Sequence, residues 1–267
     1  MVSQTSDLTE AVIADAATRM LDEPPEAMRI ALWCCPFSRG TAMMRAFSQR
    51  GDTAVLDAPF YAAYLRASGA QHPMAREILA SQPNDWRRVV DQVLGPVPDE
   101  KPIWFQKHIT THMLPEFGRD WMDQMTHVFL VRRPGTILRS FATRGLTPDL
   151  NAMGILQQAE LYDRICDRLG KAPPVYDADE IAFRPRTQLG ALCEELGIPY
   201  RSSMLEWPAG PHGGDGVWGK HWYGVAKASS AFERPPGGID SPLPDHLNTI
   251  EEYARPIYLD LYARNLR

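Results

Sequence analysis

Ser38, Arg39, Gly40 and Thr41 follow directly on an apolar run, Ile30 to Cys35, and lead into Ala42-Met43-Met44-Arg45-Ala46-Phe47. Two hydroxyls, a guanidinium and a glycine where a strand gives way to a helix are the parts of an anion site. Backbone N–H groups and the positive end of the helix dipole converge there, and Arg39 adds a full charge. The alternative is an ordinary βα turn. Counting excludes three narrower chemistries. A Walker A loop needs a Lys after its last Gly, whereas Gly40 is followed by Thr41. A Cys-based phosphatase loop has five residues between Cys and Arg, whereas four separate Cys34 from Arg39 and three separate Cys35 from it. A nucleophile elbow needs Gly two places before its Ser, and that place is Pro36. A second chemical group is Lys107, His108 and His112, set behind the apolar run Pro102-Ile103-Trp104-Phe105-Gln106. In α/β sheets chemistry gathers where strands end. A Lys and two His just past a strand are placed to move a proton, with a surface or core histidine as the alternative. No third metal ligand stands near these histidines in sequence, and no metal is expected.

The elements that must position these residues can be read from period and breakers. Strands are expected at Ile30–Cys35, Thr53–Leu56, Pro102–Gln106, His127–Val131 and Pro174–Asp177. Helices are expected over 7–21, 41–47, 59–68, 85–94, 149–169 and 245–265, and one begins at Pro134 and carries Ser140. Residues 208–219 hold seven Gly or Pro, so 207–220 reads as a loop or lid. Tyr61, Tyr64 and Phe60 on the helix over 59–68 are either core residues or the lining of an acceptor pocket.

Pro36-Phe37-Ser38-Arg39-Gly40-Thr41-Ala42-Met43 resembles the 5′-phosphosulfate loop of the sulfotransferases that use PAPS (3′-phosphoadenosine 5′-phosphosulfate). Gly51 to Phe60 is similar to the stretch that follows it in bacterial members. Arg132-Arg133-Pro134, with Ser140 eight residues after Arg132, resembles the family's 3′-phosphate motif. Leu196-Gly197-Ile198-Pro199 and His221-Trp222-Tyr223 are similar to later segments. The resemblance implies that Ser38, Arg39, Gly40, Thr41, Ala42, Arg132 and Ser140 bind PAPS and its product PAP. A guanidinium fork suits phosphate oxygens. It also implies that Arg39 and Lys107 stabilise charge on the leaving oxygen, and that either His108 or His112 is the general base. Tyr176 either approaches the adenine or simply packs. The chain departs from the pattern at Phe37, where the family has a basic residue, and in the late loop, where an Arg-Lys pair is absent.

The chain has 267 residues, 44% of them hydrophobic, enough for one large core. Its formal net charge of −5 argues against general nucleic-acid binding but leaves room for a local basic pocket. The four cysteines lack metal-ligand spacing and read as reduced residues of a cytoplasmic protein. No apolar run is long enough to span a bilayer, and the N-terminus lacks a secretory pattern. The expectation is therefore a single α/β domain of the three-layer, P-loop-like kind, with a central parallel sheet flanked by helices. Its expected activity is sulfuryl transfer from PAPS to a hydroxyl or amine of a small-molecule acceptor, with no nucleic-acid or membrane partner and a homodimer allowed. A non-catalytic PAP-binding protein and a small-molecule kinase of related fold are the alternatives.

Overall fold

Five apolar segments, each short and bounded by turns, are buried as parallel strands because both faces of the sheet are covered. In the computed structural model, which describes residues 27–146, 148–234 and 242–264, they are β1 (Met28–Cys34), β2 (Thr53–Asp57), β3 (Ile103–Ile109), β4 (Thr126–Val131) and β5 (Val175–Asp177). They lie in the order β2-β3-β1-β4-β5 with every pairing parallel. The chain leaves β1 towards one edge of the sheet and leaves β4 towards the other. Their carboxyl ends therefore diverge and open a crevice between them, the usual ligand position in such sheets.

The period of two along each strand sorts the core. Ile30, Leu32 and Cys34 of β1 face one layer, with Met43, Met44 and Phe47 of α1 (Gly40–Ser48). Ala31 and Trp33 face the other layer. That second layer holds α5 (Pro134–Ala142), α7 (Ile155–Leu169) and the last helix, α12 (Asp245–Ala263). The remaining helices are α2 (Tyr61–Ser68), α3 (Ala75–Ser81), α4 (Trp86–Leu94), α6 (Leu150–Met153), α8 (Ala178–Phe183), α9 (Pro185–Glu195), α10 (Gly219–Trp222) and α11 (Gly224–Ala228). The architecture is the expected α/β sheet flanked by helices.

Three local differences from the sequence reading stand out. β3 runs three residues further than the sequence reading, to Ile109, and includes Lys107 and His108. Both are polar yet buried, so hydropathy alone could not extend the strand. The helix expected over 149–169 breaks at Gly154, whose φ is +74° and whose added Cβ would lie 2.6 Å from Thr110 Oγ1. The close approach to the turn after β3 requires glycine there. Helix α3 was not anticipated, and Ile78 is its buried residue. Tyr176 packs in the α1 layer and donates to Glu195 Oε1 at 2.8 Å, which is a packing role. The helix expected over 7–21 lies outside the described residues.

Candidate functional site

The turn from β1 into α1 is tight enough to force two non-glycine residues, Phe37 (φ 60°) and Arg39 (φ 64°), into the left-handed region. Each such residue costs roughly 1–2 kcal/mol. Ser38 is buried, and its hydroxyl donates to the Cys35 carbonyl at 2.5 Å, bracing the loop. Arg39 is the N-cap of α1 and makes no side-chain capping bond. The Ala42 amide is already used, since it donates to the Arg39 carbonyl at 3.0 Å. Gly40 fits a space that no larger residue shares: its Cβ would fall 2.5 Å from Cys34 Sγ and 3.1 Å from Lys107 Cδ.

Arg132, the residue after β4, reaches across the crevice. Its Nη1 donates to the Phe37 carbonyl at 2.6 Å and its Nε to Asp179 Oδ1 at 3.1 Å. Arg39 Nε lies 3.7 Å from the same oxygen and has no hydrogen-bond partner. Burial, with the like charge of Arg132 added, lowers the Arg39 pKa to about 10. The carboxylates of Asp179, Glu233 and Asp177 work against that shift. Ser140, on α5, donates to the Thr136 carbonyl at 3.0 Å. One turn later Arg144 lies 4.5 Å above the Phe37 ring and donates to the Ser140 carbonyl at 2.7 Å. Two guanidinium groups sharing Asp179, with a third beside them and an unpartnered buried Nε, form a cradle suited to an anion with several charged oxygens.

Because Lys107 and His108 are adjacent in a strand, they point to opposite faces. Lys107 lies under Gly40 and Thr41, with its Nζ 3.3 Å from Thr41 Oγ1 and 2.5 Å from Asp57 Oδ1. Burial alone would lower the pKa of this ammonium, but the Asp57 carboxylate reverses that and raises it. His108 is on the far face, among Trp33, Phe60 and Trp121, with Nε2 3.2 Å from Gln106 Oε1. Burial pushes its pKa down to about 3. The expectation that both groups stand just beyond a strand is thus corrected: they lie inside it, and the strand separates His108 from the anion loop.

His112 is placed differently. It ends the 3-10 turn Thr110–His112 after β3 and stacks on Tyr61 and Tyr64, with ring centroids 4.4 and 5.0 Å away. Burial holds it neutral, well below the ordinary histidine value, and its Nδ1 has no partner. Trp218 packs edge-on against Tyr61 at 5.3 Å, and Trp222 lies 6.1 Å from Phe37, so aromatic rings line this side of the crevice. Residues 208–218 contain no helix or strand, and this segment is tied to the core through Asp57, Tyr223 and a buried Arg45–Asp215 pair.

Sequence reasoning gave no role to Asp57, Asp179, Arg144, Gln158 or Tyr223. Gln158 on α7 donates to the carbonyls of Trp33 and Leu130 at 3.2 and 3.0 Å, joining the ends of β1 and β4 where the crevice opens. A carboxylate at the end of an apolar strand (Asp57) and an Arg one turn beyond Ser140 (Arg144) were the available signals. The cysteines are free; Cys34, Cys35 and Cys193 are buried, and burial raises the Cys34 thiol to about 11. Among the described residues no cluster of metal-ligating side chains occurs, and no helix is long and apolar enough to cross a membrane.

A central parallel sheet flanked by helices, with arginine-bearing turns after β1 and β4, defines an α/β protein whose candidate site lies at the carboxyl ends of its strands. Residues 28–265 match the family described as "Sulfotransferase domain", and the chain belongs to that family of transferases. Two Arabidopsis thaliana proteins, named branched-chain-amino-acid aminotransferase-like protein 2 and protein 1, are each 36% identical to it over 205 and 203 residues. The matches cover 76% of this chain and 36% of each relative, so the chain spans about a third of their length. The crystal structure of a sulfotransferase from Alicyclobacillus acidocaldarius shares the fold. Its TM-score is 0.55 at 11% identity, over 90% of this chain and 96% of that one.

Proposed function

We propose that this protein transfers a sulfuryl group from PAPS to a hydroxyl or amine of a small-molecule acceptor. The observation that carries this reading is the cradle of Arg39 and Arg132 around the Phe37–Arg39 loop, with the buried Arg39 Nε lacking a partner. Bound there, the donor supplies a sulfuryl group activated by a phosphate leaving group. The chain's own residues do the rest. The loop from Ser38 to Thr41 and Arg39 hold the sulfuryl-bearing phosphate, and Arg132 and Ser140 hold the phosphate on the ribose. Ala42 contributes through the helix it helps to start. Such fixed donors stabilise the charge that grows on the leaving oxygen in a loose, in-line transfer. Lys107 adds a buried positive charge directly beneath Thr41. His112 is the general base: it is neutral, and its buried Nδ1 has no hydrogen-bond partner that would compete for the acceptor's proton. His108 keeps a core role. Tyr61, Tyr64 and Trp222 favour an acceptor with an apolar or aromatic body.

The test is sulfur transfer from ³⁵S-labelled PAPS to a panel of phenols, alcohols and amines. Labelled product that disappears in His112→Ala supports the reading. A panel without product, from protein that binds PAP, supports the second reading, a non-catalytic PAP-binding protein. That second reading draws on Phe37 and on a Lys107 already held by Asp57, Tyr223 and Thr41. ATP binding tighter than PAPS binding would instead indicate the kinase.

A further inference from the structure

Lys107 acts above as a charge beneath the loop, but what holds it there comes from elsewhere in the chain. An ammonium has three donors. Lys107 donates to Tyr223 Oη at 2.6 Å and to Thr41 Oγ1 at 3.3 Å, and it forms an ion pair with Asp57 Oδ1 at 2.5 Å. Tyr223 in turn donates to Asp57 Oδ2 at 2.6 Å and accepts from Trp218 Nε1 at 3.1 Å. The Gly216 N–H reaches the same Asp57 oxygen at 3.2 Å. Lys107, Asp57 and Tyr223 are all buried. The glycine-rich segment thus completes a charged network whose other end is the anion loop. Buried charge of this kind is costly unless every partner is in place.

We propose that Asp57 and Tyr223 are positioning residues for Lys107, so that docking of the segment 208–223 and the positive charge under the anion loop form one unit. The proposal rests on the reading above for what the loop binds. The titratable groups facing Lys107 are Asp57 from β2, Cys34 from β1, Tyr61 from α2, His112 from the turn after β3, and Tyr223. Burial keeps Cys34, Tyr61 and Tyr223 protonated and His112 neutral. Asp57 is therefore the group that keeps the ammonium charged. Linkage is reciprocal: whatever Lys107 adds to anion binding, a bound anion returns to the docked segment.

The test uses Lys107→Met, Tyr223→Phe, Asp57→Asn and the Asp57→Asn/Lys107→Met double variant. Hydrogen exchange is followed at residues 216–223 of the ligand-free protein, and PAP is titrated from about pH 7 to about pH 9. Lys107→Met leaves the segment's own sequence intact, yet its amides should exchange about tenfold faster, as in Tyr223→Phe. Tyr223→Phe should weaken PAP about tenfold, the worth of one charge-assisted hydrogen bond. Asp57→Asn leaves a buried ammonium without its counter-charge, so PAP affinity should fall as pH rises. Wild type and the double variant should show no such limb. Unchanged exchange in Lys107→Met overturns the proposal, as does pH-independent PAP binding by a folded Asp57→Asn. Should Asp57→Asn fail to fold, exchange in the other two variants decides. Wild-type protein that couples in exchange but binds no PAP overturns the donor reading and leaves the positioning roles standing.

Discussion

Two histidines four residues apart are both buried and neutral, and their neighbours distinguish them. His108 sits among three aromatic rings with Nε2 3.2 Å from Gln106 Oε1, while His112 stacks on Tyr61 and Tyr64; the Nδ1 of each is buried without a partner. His112→Ala should lower kcat by about 10²–10⁴, the usual contribution of a positioned base, and leave PAP affinity intact. His108→Ala should instead cost about 2–3 kcal/mol of stability, as expected for a cavity in an aromatic cluster. Steady-state kinetics and urea unfolding of the two variants separate these outcomes, and the reverse pattern would exchange the roles. The sequence left the two histidines unresolved because it did not show that β3 continues to Ile109. Once the strand includes Lys107, its alternation decides the face of His108. The short-range features of the site, Ser38 to Ala42 and the spacing of Arg132 to Ser140, were legible because one loop or one helix carries each. The Tyr223–Asp57 bond was not, since 166 residues separate its partners.

At the scale of elements, the strands were legible because each is a continuous apolar run, and their boundaries failed where a buried polar residue has a distant partner. The break between α6 and α7 shows how one contact overrides a helical pattern. Gly154 abuts Thr110 and Thr111 of the turn that carries His112. Gly154→Ala must place a Cβ at positive φ and 2.8 Å from Thr111 Cγ2. It should destabilise the protein by about 2 kcal/mol or more. It should also lower kcat more than PAP affinity, because the displaced turn carries His112, the proposed base, and not the Ser38–Thr41 loop. Calorimetry with PAP titration checks both, and a variant as stable and active as wild type would show that the contact is dispensable.

For the whole molecule, buried neutral histidines set the response to acid. His108 and His127 are held at about 3 and about 4 by burial, and His112 is held well below its ordinary value of 6.5. Unfolding returns each to about 6.5, so between these values the unfolded chain binds protons that the native state refuses. Stability therefore falls as pH drops below about 6.5, by up to about 1.4 kcal/mol per pH unit for each histidine. Asp177, raised by burial, works in the opposite sense, while His72, also lowered by burial, adds to the effect of the other histidines. Urea unfolding at pH 7.5, 6.5 and 5.5 should show a flat region and then a decline, with a shallower decline in His127→Gln. The central claim concerns the anion cradle, and thermal unfolding of wild type and Arg132→Ala with PAP, ADP or ATP tests it most directly. A ligand at ~100 times its Kd adds about 2.7 kcal/mol. The account predicts a rise in Tm with PAP that exceeds those with ADP and ATP and is lost in Arg132→Ala. A wild-type Tm indifferent to PAP, or a shift that survives Arg132→Ala undiminished, would contradict it.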